Sequence, residues 1–371
     1  MTPPRLLIVF GTRPEAVKMA PLVSALRALD GVETRVLVTG QHRALLDSAL
    51  AALGIVPDID LRVSSGEGAL DRMLAALLTA IGATLDRERP ARVLVHGDTL
   101  TALAATLAAH LRRVPVAHVE AGLRSGDLFA PWPEEGSRRI TGILADLHFA
   151  PTVAAADALR RENVPADAIH VTGNTVADAL RMIQARIVAR PDLAAAADRI
   201  LARFVDRRIV TATMHRRENW PRLPAIARAL ARLARRDDLA IIIPLHPNPR
   251  VTDPLTAALG TLPNVALVPA LDYPDFVRLM AASTLILTDS GGVQEEAPAL
   301  GVPVLVLRDV TERGEGVAAG SVRLVGTDPE AIVAAATAVL DAPASTTPRQ
   351  LYGDGYAADR IAAILVARLN A

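Results

Sequence analysis

Short apolar runs alternate with longer stretches rich in Ala, Leu and Arg along the whole chain. Runs such as "LLIVF" and "LAIIIPL" have the length of buried strands, and their Val and Ile content favours a parallel sheet covered on both faces. Apolar residues at helical spacing fill the stretches between them. That spacing predicts amphipathic helices, among them 15–29, 70–86, 100–112, 222–236 and 356–370. The pattern as a whole predicts an α/β fold.

The predicted strands form two successive sets. The first set reads "LLIVF", "ETRVLVT", "RVLVHG", "VPVAHV" and "LHFA"; the second reads "IHVTG", "RIVTATM", "LAIIIPL", "NVALVPA", "TLILTD", "VPVLVL" and "VRLVG". Open sheets rarely exceed about ten strands, so two sheets are more plausible than one. We therefore expect two doubly wound domains that face each other across a cleft. The predicted divisions are 1–170, 171–354 and a C-terminal helix at 355–371, and 342–350 reads as a loop.

Composition narrows the class of protein. Apolar residues make up 51% of the 371 residues and aromatic residues only 3%, which predicts an aliphatic core. A formal net charge of zero argues against a nucleic-acid binder that depends on a broad basic surface. The chain has no cysteine, which excludes disulfides and thiolate metal sites. Because no apolar run approaches the roughly 18 residues of a membrane span, we expect a cytoplasmic protein without a membrane partner.

The stretch "GTRPEAVK" after the first strand contains Lys18, the only lysine of the chain. It opens a helix, but it matches neither a Walker A motif nor GxGxxG. Arg13 and Lys18 are candidates for neutralising an anionic ligand. Lysine is a compact point charge and arginine a planar fork, so one lysine among arginines suggests a site that a guanidinium does not fit. A solvated helix lysine is the alternative.

Acidic residues stand at the ends of two predicted strands and at the start of a later helix. Asp98 in "HGDT" could be only a helix cap, since Asp is a preferred N-cap. Glu120 ends an apolar strand, where a carboxylate is costly unless it is paired or used. Further on, "PWPEEGSRR" places Glu134 and Glu135 beside arginines, either as part of a site or as a surface salt-bridge cluster. Two carboxylates in one cleft could divide acid and base roles.

The second half carries a phosphate-binding pattern. His215 in "TATMHRREN" ends a strand and is a candidate proton carrier or a hydrogen-bond donor to a phosphate. In "LTDSGGVQEEAP", the glycines allow close approach of the backbone, and helix N–H groups suit a phosphate. A glutamate in the following helix suits ribose hydroxyls. This combination predicts a nucleotide-diphosphate site, and the sequence contains no metal-binding motif.

Taken together, "GTRPEAVKMAPL", "TGQH", "HGDT", "HVEAGLRSGD", "PWPEE", "HRREN" and "TDSGGVQEEAP" resemble the non-hydrolysing UDP-N-acetylglucosamine (UDP-GlcNAc) 2-epimerases. The resemblance extends over about residues 5–326. It implies interconversion of UDP-GlcNAc and UDP-ManNAc without metal or redox cofactor, by anti elimination of UDP to 2-acetamidoglucal and re-addition with inversion at C2. It also implies the GT-B fold, in which both domains are Rossmann-like and the C-terminal helix at 355–371 returns to the first domain. A homodimer and a supply of precursors for surface polysaccharides are implied as well.

The resemblance assigns roles to individual residues. Asp98, Glu120, Glu134 and His215 match catalytic positions, with the acid and the base not distinguished. Substrate-binding positions are matched by Arg13, Lys18, Arg138, Phe276, Ser290, Gly291, Gly292, Glu296 and Arg313. A candidate regulatory site for a second UDP-GlcNAc is matched by Gln41, Arg216 and His246.

Departures from the family pattern concern loops and regulation. Ser137 replaces the usual Asn, and Gly314 replaces the usual Pro. The stretch "VSSGEGALD" at 63–71 lacks the Arg-Gln pair of the regulatory site, so we expect weak or absent activation by UDP-GlcNAc. The alternatives are a GT-B glycosyltransferase, a 2-epimerase of a UDP-diacetamido uronic acid, and a silent nucleotide-sugar sensor.

Overall fold

A computed structural model describes residues 3–40, 43–63, 69–311, 313–342 and 350–369, without the side chains of 43–45. The described chain forms two compact units. The first comprises Met1–Met182 and Tyr352–Ala371, and the second comprises Ile183–Leu351. The loop predicted at 342–350 lies mostly outside the described residues.

The first unit is built on a parallel sheet that has seven strands within the described residues, in the order β3-β2-β1-β4-β5-β6-β7. The strands are β1 (Arg5–Phe10), β2 (Glu33–Val38), β3 (Ile59–Asp60), β4 (Arg92–His96), β5 (Val116–Val119), β6 (Leu147–Ala150) and β7 (Ile169–Val171). The helices are α1 (Arg13–Arg27), α2 (Arg43–Leu53), α3 (Leu70–Glu88), α4 (Leu100–His110), α5 (Glu134–Leu144), α6 (Val153–Arg161) and α7 (Thr175–Ala189).

The second unit has a parallel sheet whose described residues form six strands, in the order β10-β9-β8-β11-β12-β13. The strands are β8 (Arg208–Thr213), β9 (Leu239–Pro244), β10 (Val265–Val268), β11 (Ser283–Thr288), β12 (Val304–Val306) and β13 (Val322–Leu324). The helices are α8 (Ala195–Leu201), α9 (Leu223–Leu233), α10 (Pro249–Leu259), α11 (Tyr273–Ala282), α12 (Gly291–Ala299), α13 (Gly314–Ala318) and α14 (Pro329–Asp341). Short 3-10 helices lie at Ala166–Ala168, Pro191–Ala194, Ala202–Phe204 and Arg217–Arg222.

The last helix, α15 (Ala357–Leu369), packs on α1 within the first unit. Its apolar side chains Ile361 and Leu365 are fully buried. At its N-terminus, the backbone N–H groups of Ala357 and Ala358 donate to the carboxylate of Asp178, at 3.2 and 2.9 Å. Two hydrogen bonds and a buried apolar face thus hold α15 in this unit.

The alternation of short apolar runs with longer helical stretches predicted the two parallel sheets, and the fold class is confirmed. One strand assignment was wrong. "IHVTG" was placed in the second set, but its β7 pairs with β6 in the first sheet through His148↔Ile169 and Ala150↔Val171. Strand β3 was not predicted because it has only two residues.

In both sheets the strand order reverses next to the first strand of the sheet, between β1 and β4 and between β8 and β11. Loops that leave the carboxyl ends of such neighbouring strands diverge and open a crevice, where ligands of doubly wound sheets bind. The polar motifs of the sequence follow these strands, so the topology places them at the ligand-binding edges.

Candidate active site

The loop after β1 is held by a buried carboxylate. Glu15 accepts hydrogen bonds at Oε2 from the Gly11 N–H (3.0 Å), the Thr12 N–H (2.9 Å) and the Thr12 hydroxyl (2.8 Å). At Oε1 it accepts from the hydroxyl of Thr99, which opens α4 after β4 (2.7 Å). Burial raises the pKa of Glu15 to about 7, against the effect of these bonds. Glu15 therefore ties together the two loops of the crevice in the first unit.

Gly11 is required by close packing of this loop. A Cβ added there would lie 2.3 Å from Thr39 Oγ1 and 2.4 Å from Thr101 Oγ1. Arg13, the first residue of α1, is half-buried directly after the loop. The close packing fixes the backbone from which α1 begins, and Arg13 and Lys18 both lie on that helix.

Lys18 is buried in the next turn of α1 and its ammonium group contacts Glu120 Oε2. Glu120 follows β5 with φ 62°, a left-handed conformation that is uncommon for a residue other than glycine. Asn174 Nδ2 donates to the same Oε2 at 3.0 Å, and His96 Nε2 lies 3.8 Å from it. Glu120 is nine-tenths buried beside the only lysine of the chain. Its burial and its backbone conformation both cost folding free energy, which suggests a functional role for this carboxylate.

Asp98 and Arg138 form a second pair. The guanidinium of Arg138, which is buried in α5, contacts Asp98 Oδ2, and its Nη1 lies 3.5 Å from Glu135 Oε2. Glu135 accepts from Arg139 Nε at 3.0 Å, so the salt bridge forms as expected, but Glu135 is fully buried and the pair is not a surface cluster.

Glu134 begins α5 and differs from its neighbour Glu135. Its Oε2 atom is buried and has no hydrogen-bond partner among the described residues. No described hydrogen bond joins it to Asp98 or Glu120. An unpaired carboxylate oxygen at a helix N-terminus is a group that can exchange a proton with a ligand.

The crevice of the second unit is also held by a buried carboxylate. Asp289 follows β11 and accepts from the backbone N–H groups of His215 (3.1 Å) and Arg216 (3.1 Å), which follow β8. Asn219 Nδ2 donates to Asp289 at 3.1 Å and to the Leu307 carbonyl at 3.0 Å. The His215 imidazole contributes Nδ1, 3.0 Å from Asp289 Oδ1. Asp289 thus fixes the position of His215 at the ligand-binding edge.

The predicted phosphate loop opens α12. Gly291 is the first residue of this helix, whose first-turn N–H groups have no partner within the helix. A Cβ at Gly291 would lie 2.7 Å from Arg313 Cζ, so the guanidinium packs against the glycine backbone. Arg313 Nε is itself oriented by Glu295 Oε1 at 2.8 Å. The N–H of Ser290 is not free for a phosphate because it donates to Thr288 Oγ1 at 2.9 Å.

The groups predicted to contact the nucleoside lie on α11 and α12. Glu296 is buried and accepts a hydrogen bond from the Tyr273 hydroxyl at 3.0 Å. Phe276 lies one turn after Tyr273 and is half-buried. A carboxylate oriented in this way can bind vicinal hydroxyls, as acidic residues do in dinucleotide sites.

Of the candidate regulatory residues, Gln41 lies outside the described residues. His246 Nδ1 accepts from the Asn248 N–H at 3.2 Å. Burial and the neighbouring His215 lower the pKa of His246, and Asp289 opposes them.

Within the described ranges, no group of three or more His, Asp or Glu side chains is arranged to hold a metal ion. Nor does any helix there have the length and apolar character needed to cross a membrane.

Known proteins match nearly the whole chain. The model of the family described as "UDP-N-acetylglucosamine 2-epimerase" matches residues 24–366. The UDP-N-acetylglucosamine 2-epimerase of Escherichia coli K12 is 47% identical over 96% of this chain and 97% of its own length. The chain belongs to the UDP-N-acetylglucosamine 2-epimerase family.

Solved structures agree with this membership. The Neisseria meningitidis UDP-GlcNAc 2-epimerase, crystallised with UDP-GlcNAc, is 40% identical with a TM-score of 0.92, covering 98% of this chain and 100% of that one. The Methanocaldococcus jannaschii enzyme, in complex with UDP-GlcNAc and UDP, is 33% identical with a TM-score of 0.86, covering 98% and 99%. A glycotransferase of kitacinnamycin, 14% identical with a TM-score of 0.62, shares the fold alone.

The two departures from the family pattern lie in positions that tolerate them. Ser137 is buried in α5, and its hydroxyl donates to the Pro133 carbonyl at 3.2 Å, one helical turn back. Gly314 begins α13, and a Cβ added there would meet no described atom within 4 Å.

Sequence reasoning missed the residues that orient the site. Glu15, Asn174 and Asp289 were not predicted to belong to it. The spacing Thr12-x-x-Glu15 is that of a capping box and could have indicated Glu15. Asp289 stood within a quoted motif, but no local pattern showed that its partners would come from another strand end.

Proposed function

We propose that the protein interconverts UDP-GlcNAc and UDP-ManNAc by anti elimination and re-addition of UDP. A carboxylate removes H2 of the sugar as a proton, and the electron pair of the C2–H bond forms a C1=C2 double bond. The C1–O bond breaks, and its electron pair leaves with the β-phosphate of UDP. UDP then adds back to 2-acetamidoglucal while a proton is delivered to the opposite face of C2, which inverts that centre.

The observation that carries this proposal is the Lys18–Glu120 pair. Both side chains are nine-tenths buried, and Asn174 orients the same carboxylate oxygen of Glu120. Burial of a carboxylate raises its affinity for a proton, whereas the adjacent ammonium lowers it. A paired carboxylate of this kind is suited to accept and return a proton. Asp98, paired with Arg138, and Glu134, with its unpaired Oε2, are the other two carboxylates assigned to proton transfer.

The remaining assigned residues bind the substrate. In the first unit, Arg13, Lys18 and Arg138 supply positive charge on the sugar side. In the second unit, His215, Arg313, the Ser290 hydroxyl and the backbone N–H groups of Gly291 and Gly292 bind the departing diphosphate. Glu296 binds the ribose and Phe276 packs by the uracil. The mechanism uses these protein groups without a metal or redox cofactor.

Incubation with UDP-GlcNAc in heavy water tests the proposal. We expect UDP-ManNAc and solvent deuterium at C2 in both sugars, because the proton is exchanged at each elimination; proton NMR of the products measures both. Asp98→Asn, Glu120→Gln and Glu134→Gln should each lose about 10²–10⁴-fold in turnover. Asp157→Asn is the matched control, since within the described residues Asp157 has one ion-pair partner, Arg160, on the exposed face of α6.

Other outcomes would favour the alternative functions. A requirement for a sugar acceptor, without deuterium at C2, would indicate a glycosyltransferase. Release of free ManNAc would indicate a hydrolysing relative. Deuterium exchange at C2 of a UDP-diacetamido uronic acid, but not of UDP-GlcNAc, would indicate a 2-epimerase of that sugar. Binding without turnover would indicate a sensor. The homodimer, the cytoplasmic location, the role in polysaccharide supply and the weak activation by UDP-GlcNAc stay predictions.

A further inference from the structure

Asp289 contacts the imidazole of His215 as well as the backbone of the His215 loop. Its side chain has no exposed surface, whereas that of His215 is 46% exposed. The Asp289 carboxylate accepts hydrogen bonds from three donors, the backbone N–H groups of His215 and Arg216 and Asn219 Nδ2, and His215 Nδ1 lies 3.0 Å from its Oδ1. Three such donors favour the ionised form of the carboxylate.

The charge on Asp289 agrees with this geometry. Burial acts to raise the pKa of Asp289, but the hydrogen bonds from the His215 ring and from the two backbone N–H groups outweigh it, and the pKa is lowered. An ionised carboxylate only accepts hydrogen bonds. The His215 ring nitrogen that faces it, Nδ1, must therefore carry a proton.

The assignment of Nδ1 determines the chemistry of Nε2. In a neutral imidazole with Nδ1 protonated, Nε2 is the acceptor, and protonation of the ring occurs there. No described residue lies within hydrogen-bond distance of His215 Nε2. Asp289 is the acidic group in contact with the ring, and His246, which follows β9, is close enough to interact with it electrostatically.

We propose that Asp289 is a positioning residue that holds His215 in the Nδ1–H form and stabilises its imidazolium, so that Nε2–H can bind the diphosphate as it departs. This inference rests on the proposed function, because the anion is the UDP released by C1–O cleavage. The imidazolium donates a hydrogen bond to a β-phosphate oxygen as negative charge accumulates there. No proton needs to leave the ring, and the charge of the pair is balanced by Asp289.

The tautomer can be measured on the unaltered protein. Long-range proton–nitrogen NMR spectra of the ¹⁵N-labelled chain distinguish protonated from unprotonated ring nitrogens, and loss of one signal set in His215→Gln identifies His215 among the eight histidines. In the neutral ring we expect Nδ1 to be protonated and Nε2 unprotonated. An Nε2–H tautomer would overturn the proposal.

Asp289→Asn tests the consequence for turnover. The amide oxygen of Asn is expected to replace Oδ2, because Arg216 N–H and Asn219 Nδ2 both donate there. The amide NH₂ then faces Nδ1, which should shift His215 to the Nε2–H tautomer and disfavour its cation. We expect kcat to fall by about 10²-fold, with the KM for UDP-GlcNAc changed less than about threefold.

Asn219→Ala is the matched control. It removes the contact of Asn219 with Asp289 and Leu307, and so loosens the loop, but it leaves the Asp289–His215 contact in place. We expect a lower melting temperature, an unchanged His215 tautomer, and kcat within about fivefold of the parent chain. If Asn219→Ala and Asp289→Asn lower kcat equally, Asp289 is merely structural and the proposal is wrong.

Failure of the proposed function and failure of the role of Asp289 can be told apart. If the parent chain does not epimerise UDP-GlcNAc, the proposed function is wrong, and the proposal for Asp289 falls with it whatever the tautomer. If the parent chain epimerises UDP-GlcNAc and Asp289→Asn retains its kcat, only the positioning role of Asp289 is overturned.

Discussion

The single lysine of the chain lies where charge must be compact. Its Nζ atom reaches Glu120 from inside α1, in a pocket where both side chains are more than nine-tenths buried. A guanidinium is larger and planar, and it would need a second acceptor to satisfy its N–H groups. The remaining space near Glu120 Oε2 is shared by Asn174 and His96.

Lys18→Arg should therefore reduce catalytic activity more than it reduces the stability of the fold. We expect kcat/KM for UDP-GlcNAc to fall by at least about 10²-fold because Glu120 is displaced, and overpacking to cost about 1–3 kcal/mol of unfolding free energy. Steady-state kinetics and thermal unfolding measure the two effects. Arg27→Lys, on the same helix but in the partly exposed pair with Asp58, is the matched control and should leave both unchanged. Near-normal turnover of Lys18→Arg would show that the lysine is interchangeable.

Neighbouring strands of the first sheet bring histidines together in the interior. His118 of β5 is in register with His148 of β6, and the ring of His118 bonds through Nε2 to the Gly97 carbonyl at 2.8 Å. Burial, together with the proximity of His148, lowers the pKa of His118 to about 3. Burial likewise lowers the pKa of His148 to about 4. Both rings are neutral in the folded sheet.

This pair should make the protein sensitive to mild acid. Below about pH 6.5 the unfolded chain binds protons at both rings while the folded sheet does not, so the stability falls between about pH 6.5 and 4. Each histidine can contribute a slope of up to about 1.4 kcal/mol per pH unit. Urea unfolding of His118→Gln/His148→Gln between pH 5 and 7 should show a shallower dependence than the parent chain. His110→Gln, at the exposed end of α4, serves as the control and should not alter the slope.

At the scale of the whole molecule, the sequence predicted the two sheets because their strands are buried on both faces and read as continuous apolar runs. It also predicted that polar residues at the strand ends would form sites, since parallel strands end at one edge. It did not predict which groups would meet there. Glu15 reaches Thr99 across 84 positions and Asp289 reaches His215 across 74, and such contacts follow from strand order, which a local pattern does not contain.

The return of α15 to the first unit is another long-range feature that acts on the site. The Asn174 N–H donates to the Tyr352 carbonyl at 2.6 Å, in the segment that leads into α15, and the Asn174 side chain donates to Glu120. Asp178, four residues later, accepts from the first two N–H groups of α15. The attachment of the C-terminal helix and the orientation of Glu120 thus share one short stretch of chain.

Asp178→Asn should loosen this attachment. One carboxylate oxygen becomes an NH₂ group that faces a helix N–H, and the charge that favours a helix N-terminus is lost, so we expect a loss of about 1–3 kcal/mol. Amide hydrogen exchange of 357–369 should become faster, and kcat should fall modestly, because Asn174 and Glu120 are less firmly held. Asp359→Asn, an exposed acidic residue in the first turn of α15, should change neither quantity appreciably. Unchanged exchange in Asp178→Asn would mean that the apolar face of α15, and not this carboxylate, fixes the end of the chain.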